Sequence, residues 1–280
     1  MSIAKAFAPG NVSGVFKIIP DDDPAKMHSL GMGFTVADGV TATVSVSDRE
    51  STAVRFNDKA IEFATVRAVV AKLTDLPLRV ELATGLPLSG GFGLSGASSL
   101  ATAFAINARL GLGKTERELG MAAHVAEVEN LTGLGDIAGQ FNGGCLVKLI
   151  RGDPLAAICL PVPEQIVHYR YFSPINTKDI IGHPDNRVRI NTAADAALED
   201  LSRLKDRNES DFAQYIVIAK KFSIESGLLL DDDVKSSIRE CERAGGSASM
   251  IMLGNAVFSN VPFTGAKTTR LAKRRVEVLW

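Results

Sequence analysis

The glycine-rich stretch GGFGLSGASSLA, residues 90–101, constrains the fold of this chain more than any other segment. Between Gly91 and Gly96 it contains G-x-G-x-x-G, a dinucleotide-binding pattern that requires a strand before it and, after the next helix, a parallel strand. Here the strand predicted at 78–84 ends too early, and the helix predicted at 96–110 is followed by a second helix. The context therefore excludes a nicotinamide-binding domain. A P-loop is excluded as well, because no Gly-Lys-Ser/Thr follows the glycines.

The rest of the chain shows strand and helix periodicity without a regular β-α-β alternation. Strands are predicted at 3–8, 12–19, 39–48, 78–84, 145–150, 166–172 and 274–280, with a turn at Pro9-Gly10. Helices are predicted at 64–73, 96–110, 116–130, 192–205, 210–227 and 232–244, with a short helix after Asp136. This mixture predicts an α+β fold rather than a doubly wound parallel sheet.

Several local signals fix the ends of these elements and the domain organisation. Thr115 and Glu118 form a capping-box pattern at the start of the 116–130 helix, and Gly111 is typical of the end of the helix before it. Residues 151–163 contain three prolines, which predicts a joint near residue 152. We therefore expect two domains, formed by residues 1–152 and 153–280.

Composition narrows the class of protein. The 280 residues are 46% hydrophobic, which is enough for a sizeable core, and the net charge of −1 favours neither nucleic acid nor an anionic membrane. The basic residues of 267–275 are interpreted as a solvated helix face, and Asp231–Asp233 as the start of a helix whose dipole they suit. We found no signal peptide and no apolar run of membrane-spanning length, so a cytoplasmic protein is expected. The cysteines are expected to be buried thiols in a reduced compartment: Cys145, Cys159 and Cys241.

The glycine loop itself is consistent with two interpretations. Its glycines allow close approach of the backbone to a ligand, and the loop leads into a helix whose first amide groups favour an anion. Ser95, Ser98 and Ser99 add hydroxyl groups that could hold phosphate oxygens or a metal ion. The alternative is a Gly/Ser connection with no ligand.

Three segments resemble a known superfamily and lie in its order along nearly the whole chain. Residues 87–98, PLSGGFGLSGAS, resemble the P-x-x-x-G-L-G-S-S-A-A loop of the galactokinase, homoserine kinase, mevalonate kinase and phosphomevalonate kinase (GHMP) superfamily. Residues 8–16, APGNVSGVF, are similar to its A-P-G-K segment, and residues 245–254 to its C-terminal glycine-rich segment. Within the superfamily, AHVAEVENLTGLGDIAGQ at 123–140 is most similar to the archaeal pantoate kinases.

The resemblance implies a fold and an activity. The implied fold is a GHMP-kinase-like one, with an N-terminal mixed α/β nucleotide-binding domain and a C-terminal ferredoxin-like α/β domain that closes the substrate cleft. The implied reaction is ATP-dependent phosphorylation of the primary hydroxyl of pantoate to 4-phosphopantoate, on the archaeal route to coenzyme A. The alternatives are another GHMP kinase, acting on mevalonate or homoserine, and a non-catalytic nucleotide-binding sensor. No nucleic-acid or membrane partner is expected, and a homodimer is left open.

The resemblance also implies roles for residues at matching positions. Asp136 would be the catalytic base, for which the alternative is an ordinary helix N-cap. Ser95 and Glu127 would hold Mg²⁺, with Glu129 as a second candidate for the carboxylate. The ATP phosphates would lie on the loop formed by Pro87, Gly90, Gly91, Phe92, Gly93, Leu94, Ser95, Gly96 and Ala97.

The residues expected at the substrate are Asn11, Ser13, Gly135 and Asp136. The wider superfamily often has a lysine at the position of Asn11, so a catalytic lysine from this segment is not expected. The carboxylate of the substrate would need a partner, for which Arg67, Arg151 and Arg170 are open candidates. His124 is interpreted as a packed residue rather than a participant.

Overall fold

A computed structural model describes residues 3–175, 180 and 183–279 of the chain. Its fold is organised around two long antiparallel strands, β1 (Ala4–Ile19) and β2 (His28–Val46). The predicted turn at Pro9-Gly10 is wrong, because the chain continues through it as one strand with a β-bulge between Pro9 and Gly10. A bulge bends a strand without ending it, which a proline-glycine pair alone does not reveal.

The remaining strands are shorter. They are β3 (Ala53–Phe56), β4 (Lys59–Ala60), β5 (Leu78–Ala83), β6 (Cys145–Lys148), β7 (Ile158–Cys159), β8 (Gln165–Ser173), β9 (Ala248–Met250), β10 (Asn255–Ser259), β11 (Lys267–Leu271) and β12 (Glu277–Leu279). Among the described residues, the order β4-β3-β5-β2-β11-β8-β10-β9 forms the main path, while β1 joins β2 to β12 and β6 joins β2 to β7. Of these pairs only β3 with β5 is parallel, which agrees with the exclusion of a nicotinamide-binding fold.

Helices cover the sheet. They are α1 (Ala64–Leu73), α2 (Leu94–Leu110), α3 (Glu116–Glu129), α4 (Asp136–Asn142), α5 (Pro184–Asp206), α6 (Phe212–Glu225) and α7 (Asp232–Arg243). The α2 helix contacts β1 and β2 on one side and α1 and α3 on the other, so most of its side chains are buried. The predicted capping box of Thr115 and Glu118 and the predicted helix end at Gly111 are both confirmed.

Three expectations about surface segments are corrected. The basic segment near residue 270 is strand β11, in which Thr269 and Leu271 are buried while Lys267 and Arg270 are exposed. This alternation has the period of a strand, but its polar residues conceal it in the sequence. Cys159 is exposed, unlike the buried Cys145 and Cys241. Helix α5 begins well before the predicted start at residue 192.

The mixture of helices and a largely antiparallel sheet confirms the α+β class. The sheet continues from β2 through β11 into β8, so its strands come from both sides of the predicted joint near residue 152. The division into domains 1–152 and 153–280 remains a prediction. No helix in the described ranges is long and apolar enough to cross a bilayer.

Aromatic residues connect the sheet to the helices that follow it in sequence. Phe34 on β2 has no exposed surface, and its ring packs edge-on against Phe212 of α6 at a centroid distance of 5.0 Å. The ring of Phe258 on β10 lies 5.3 Å from Phe34. Aromatic pairs with this geometry stabilise a core beyond the contribution of their buried area.

We expect Phe34→Ala to lower the free energy of unfolding by about 3–5 kcal/mol, because the substitution leaves a cavity where β2 meets α6. Urea unfolding followed by circular dichroism would measure this loss. The exposed Val217→Ala on α6 is the control and should change the value by less than about 0.5 kcal/mol. A loss for Phe34→Ala as small as that of the control would contradict the assigned core.

Candidate active site

Three segments distant in sequence meet at the middle of β1. The backbone amide of Asn11 donates to the carbonyl of Phe92 at 2.9 Å, and the amide of Met252 donates to the carbonyl of Ser13 at 3.2 Å. Residues 11–13 pair with β2 on one edge, and β12 covers the other edge of β1 only at residues 5–7, so backbone groups on that edge are available for other partners. Residues 11–13 therefore support both the glycine loop and the segment 251–254.

The glycine loop lies so close to its neighbours that side chains would not fit. A Cβ atom on Gly254 would lie 2.5 Å from the carbonyl carbon of Gly90. Gly93 has a left-handed backbone with φ of 59°, and a Cβ there would lie 2.8 Å from Cγ of Asp136. Both positions require glycine for steric reasons, and Gly93 for its backbone conformation as well.

A cavity with a volume of about 460 Å³ opens in front of this loop. Its lining combines the loop with residues that follow α3, β8 and β9: Leu88, Ser89, Gly91, Phe92, Gly93, Leu94, Ser95, Leu131, Thr132, Asp136, Pro174, Ile175 and Leu253. The N-cap of α2 is Gly93, so no side chain caps the helix. The first amide groups of a helix have no intrahelical acceptor, and those of α2 have no side-chain cap either. A helix start of this kind can bind phosphate.

The residues expected at the ATP phosphates separate into two groups. Those from Gly91 to Ser95 line the cavity. Pro87 and Gly90 form the preceding turn, in which the amide of Gly90 donates to the carbonyl of Pro87 at 3.2 Å. Gly96 faces Gln140, and the amide of Ala97 already donates to Gly93 within the helix, so these two residues support the loop from behind.

Asp136 is the first helical residue of α4, and Gly135 occupies the N-cap without a side-chain hydrogen bond. The interpretation of Asp136 as an N-cap is therefore wrong. Its Oδ1 instead accepts from Nδ2 of Asn11 at 2.8 Å and from Oγ of Ser13 at 3.3 Å. Burial raises the pKa of Asp136, and these two hydrogen bonds partly offset the rise. The side chain still borders the open cavity, so water moderates the effect of burial.

Asn11 is thus the neighbour that the superfamily resemblance would have made a lysine. It donates to Asp136 as a neutral amide, and no cation of the described residues forms an ion pair with that carboxylate. Asn11 does not itself line the large cavity. Ser13 and Gly135 border two smaller cavities described below, and Asp136 borders one of these and the large cavity.

Ser95 and Glu127 form a buried pair next to the cavity. Oγ of Ser95 donates to Oε2 of Glu127 at 2.8 Å, while Oε1 of Glu127 is buried without a hydrogen-bond partner. Glu127 is only 1% exposed. Burial, with a smaller contribution from the charge of Asp136, raises the pKa of Glu127 to about 8. Glu129 lies on the surface instead, where it forms an ion pair with Lys72 at 2.9 Å.

The oxygens of this region suit a magnesium ion. A Cβ atom on Gly133 would lie 3.0 Å from Oε2 of Glu127 and 3.2 Å from Oδ2 of Asp136, so both carboxylates border one small space. Mg²⁺ usually binds through one or two carboxylates and keeps its other positions for water and phosphate. No cluster of three or more His, Cys, Asp or Glu side chains occurs within the described ranges, which fits this mode rather than an all-protein cage.

Two smaller cavities continue from Asp136 away from the glycine loop. They have volumes of about 40 and 50 Å³ and share Ser13, Phe16, Ser29 and Gly135. The first is bordered by Asp136 and the second by Lys148. Together they form a short groove with a carboxylate at one end and an ammonium group at the other.

Lys148 was not predicted as a site residue. Its Nζ donates to the backbone carbonyl groups of Asp153 and Pro154, and burial lowers its pKa to about 8. Its signal in the sequence is a single charged residue within the apolar strand CLVKLI, directly after the Asp136 helix and Gly143-Gly144. This placement differs from that of an exposed lysine, but the sequence does not show which face of the strand it occupies.

The arginines considered for the substrate carboxylate line neither small cavity. Arg67 bonds to Glu62 and the carbonyl of Thr52, and Arg170 donates to the carbonyl of Thr264 while its guanidinium stacks on Phe172. Arg151 is exposed. His124 is packed as predicted: it is 2% exposed and its Nε2 lies 2.9 Å from the carbonyl oxygen of Met27.

Comparison with known proteins identifies the fold of this chain. The family model of the GHMP kinases N terminal domain matches residues 60–144. The structure described as a phosphotransferase related to the CoA biosynthesis pathway matches with a TM-score of 0.85 and 24% identity, covering 99% of both chains. The chain therefore has the fold of the GHMP kinases, and its residues 60–144 match the N-terminal domain of that family.

Two relatives make the comparison more specific. The protein named pantoate kinase from Methanospirillum hungatei is 26% identical over 261 residues, which cover 91% of this chain and 86% of the relative. The protein of the same name from Methanocaldococcus jannaschii is 27% identical over 257 residues and is matched over 90% of both chains.

The pKa of Glu127 leads to a prediction about the metal-free protein. Between about pH 4.3, the ordinary value for a glutamate, and pH 8, the folded protein holds a proton that the unfolded chain has released. Glu127 therefore lowers the free energy of unfolding progressively as the pH rises through this range. Glu127→Gln removes this loss. The difference in free energy of unfolding between this variant and the parent protein should therefore be a few kcal/mol larger, in favour of the variant, at pH 8 than at pH 5.

Urea unfolding in the presence of a chelator, at several pH values, measures the difference. Glu129→Gln, two residues along the same helix, is the matched control because its carboxylate lies on the surface. It should leave the pH dependence unchanged. Parallel stability curves for Glu127→Gln and the parent protein would show that the buried carboxylate does not bind the proton as described.

Proposed function

We propose that this chain transfers the γ-phosphoryl group of ATP to the primary hydroxyl of pantoate. The observation that carries this proposal is the groove between Asp136 and Lys148, which joins the larger cavity at the carboxylate end. A small hydroxy acid has the complementary polarity, with a hydroxyl at one end and a carboxylate at the other. The relatives named pantoate kinase support the choice of hydroxy acid.

The larger cavity would hold ATP. The unpartnered amide groups at the start of α2 and the backbone of Gly91 to Ser95 would bind the phosphates. Ser95 and Glu127 would hold Mg²⁺. The ion would neutralise charge on the phosphates, which is the main requirement of phosphoryl transfer besides positioning.

Asp136 would orient the attacking hydroxyl and accept its proton. Its Oδ1 is held by Asn11 and Ser13, which leaves Oδ2 for the substrate. Fixing one oxygen in this way aims the other without a further side chain. The neutral donor at Asn11 compensates the carboxylate charge less than a lysine would, and this keeps Asp136 more basic.

Lys148 would bind the substrate carboxylate at the far end of the groove. Two of its three donors are used by backbone carbonyl groups, which leaves one for a ligand. Between the two ends, Phe16, Leu134 and Leu253 offer apolar contacts, which suit the two methyl groups on the carbon chain of pantoate. Phe16 is held in place by Phe222, at a ring centroid distance of 5.6 Å.

The decisive experiment incubates the purified protein with Mg·ATP and pantoate and identifies 4-phosphopantoate by mass. Mevalonate and homoserine are compared in a coupled assay of ADP release. Turnover of either at a rate equal to or above that of pantoate would contradict the choice of substrate. ATP binding without transfer to any of these acceptors would favour a nucleotide sensor instead.

Asp136→Asn tests the catalytic role in the same assay. We expect turnover to fall at least about 100-fold, because the amide cannot accept the proton, while ATP binding is retained. Unchanged turnover would refute the assignment of Asp136 as the base.

Replacement of Lys148 tests the carboxylate end of the groove. Lys148→Met should raise the KM for pantoate about 10- to 100-fold, since a charge-assisted hydrogen bond is lost, while the KM for ATP changes little. Lys148→Arg keeps the charge and is the control. Equal KM values for pantoate in the Met variant and the parent protein would exclude Lys148 from the substrate site.

A further inference from the structure

A second large cavity lies on the outer face of the sheet, and the reaction described above does not use it. Its volume is about 380 Å³, comparable with the 460 Å³ in front of the glycine loop. The two cavities share no lining residue. It lies where β2, β3 and β5 meet, and it is lined by Ser45, Val46, Ser47, Asp48, Arg49, Ala53, Val54, Arg55, Ala60 and Arg79.

The strand register explains how arginines come to surround this space. Arg79 on β5 pairs with Ser45 of β2 on one side and Ala53 of β3 on the other. Two residues further along β3, Arg55 pairs with Ala60 of β4. Because residues two apart on a strand share a face, Arg55 and Ala53 lie on the same face as Arg79. Small residues therefore form the floor of this cavity, and the long arginine side chains border it.

Much of the hydrogen-bonding capacity of these arginines is unused. Arg79 donates only to one oxygen of Glu81, and Arg55 donates only to the backbone carbonyl of Asp58. In the connection from β2 to β3, the backbone amide of Arg49 donates to Oγ of Ser47, but its guanidinium has no hydrogen bond or ion pair with any described residue. A guanidinium carries five N–H donors, so most of these donors have no protein acceptor.

The charge of the lining favours an anion. Three arginines and one carboxylate, Asp48, line the cavity. The charge of Arg79 is offset by its ion pair with Glu81, so the excess positive charge comes from Arg49 and Arg55. The hydroxyl groups of Ser45 and Ser47 add neutral donors at the same wall. Paired guanidinium groups with free forks match the geometry of phosphate oxygens, which they bind through two parallel hydrogen bonds.

From these observations we propose that this space, the arginine cavity, binds an anion of the diphosphate class. Arg49 and Arg55 donate to its oxygens, and Arg79, which is ion-paired with Glu81, adds its unused N–H donors. The site is separate from the catalytic one, because Arg79 lies near the start of β5 whereas the glycine loop follows its end. The four steps along the strand from Arg79 to Ala83 alone span about 13 Å. A bound anion would connect the β2–β3 loop to β5.

Isothermal titration with sodium diphosphate tests the proposal. Diphosphate binding that the arginine variants leave unchanged would belong to the catalytic cavity and would contradict the proposal. Arg49→Ala and Arg55→Ala should each weaken diphosphate binding about tenfold or more, because each removes a charge-assisted hydrogen-bonding group. Arg203→Ala is the control: it removes one positive charge from an exposed ion pair on α5 and should leave binding unchanged. All three variants should keep the kinase activity of the parent protein, because none of these residues lines the catalytic cavity.

Two further outcomes would also overturn the proposal. The first is an absence of diphosphate binding by the parent protein at 150 mM salt. The second is equal weakening in all three variants, which would mean that only the net charge matters. Titration with ADP distinguishes free diphosphate from the diphosphate of a nucleotide. Equal affinity for ADP and diphosphate indicates that the cavity recognises the diphosphate group alone. Tighter binding of ADP indicates that it recognises a nucleotide. Since diphosphate binding is measured directly, the result stands whether or not pantoate is the substrate.

Discussion

Residues 11–13 of β1 hold the active site together. Their backbone binds the glycine loop through Phe92 and the C-terminal segment through Met252, while their side chains bind Asp136. This is possible because β2 covers only one edge of β1 at these residues, and β12 covers the other edge only at residues 5–7. The relative position of the phosphate-binding loop and the carboxylate therefore depends on the uncovered edge of one strand.

The site also concentrates negative charge without a nearby cation to balance it. Glu127 is buried and Asp136 is partly buried at the edge of the cavity, and burial raises the pKa of both. Keeping two neighbouring carboxylates ionised in such a place costs free energy, part of which a divalent cation bound at Glu127 would offset. In the proposed enzyme the metal would therefore do more than bind phosphate, since its arrival would also favour the ionised form of Glu127. Asn11 fits this arrangement, because a neutral donor orients Asp136 without replacing the charge of the ion.

The sizes of the cavities match the proposed division between donor and acceptor. The large cavity lies at the start of α2, where amide groups point to a nucleotide, and the narrow groove beyond Asp136 has room only for a small molecule. Phe16, held by Phe222, limits the groove on its apolar side. Polarity at both ends and restricted space between them together select a short hydroxy acid, whereas the glycine loop alone indicates only a phosphate.

The sequence by itself determined the local features of this protein. The capping box at Thr115, the helix end at Gly111 and the strand at 78–83 follow from neighbouring residues, and so does the glycine loop that leads into α2. The resemblance to superfamily segments implied roles for Asp136, Ser95 and Glu127. Tertiary structure buries Glu127 and leaves Glu129 on the surface, since burial depends on what packs against the helix. It also brought Lys148 to the groove and three arginines to one wall, because strand register joins residues that no sequence spacing relates.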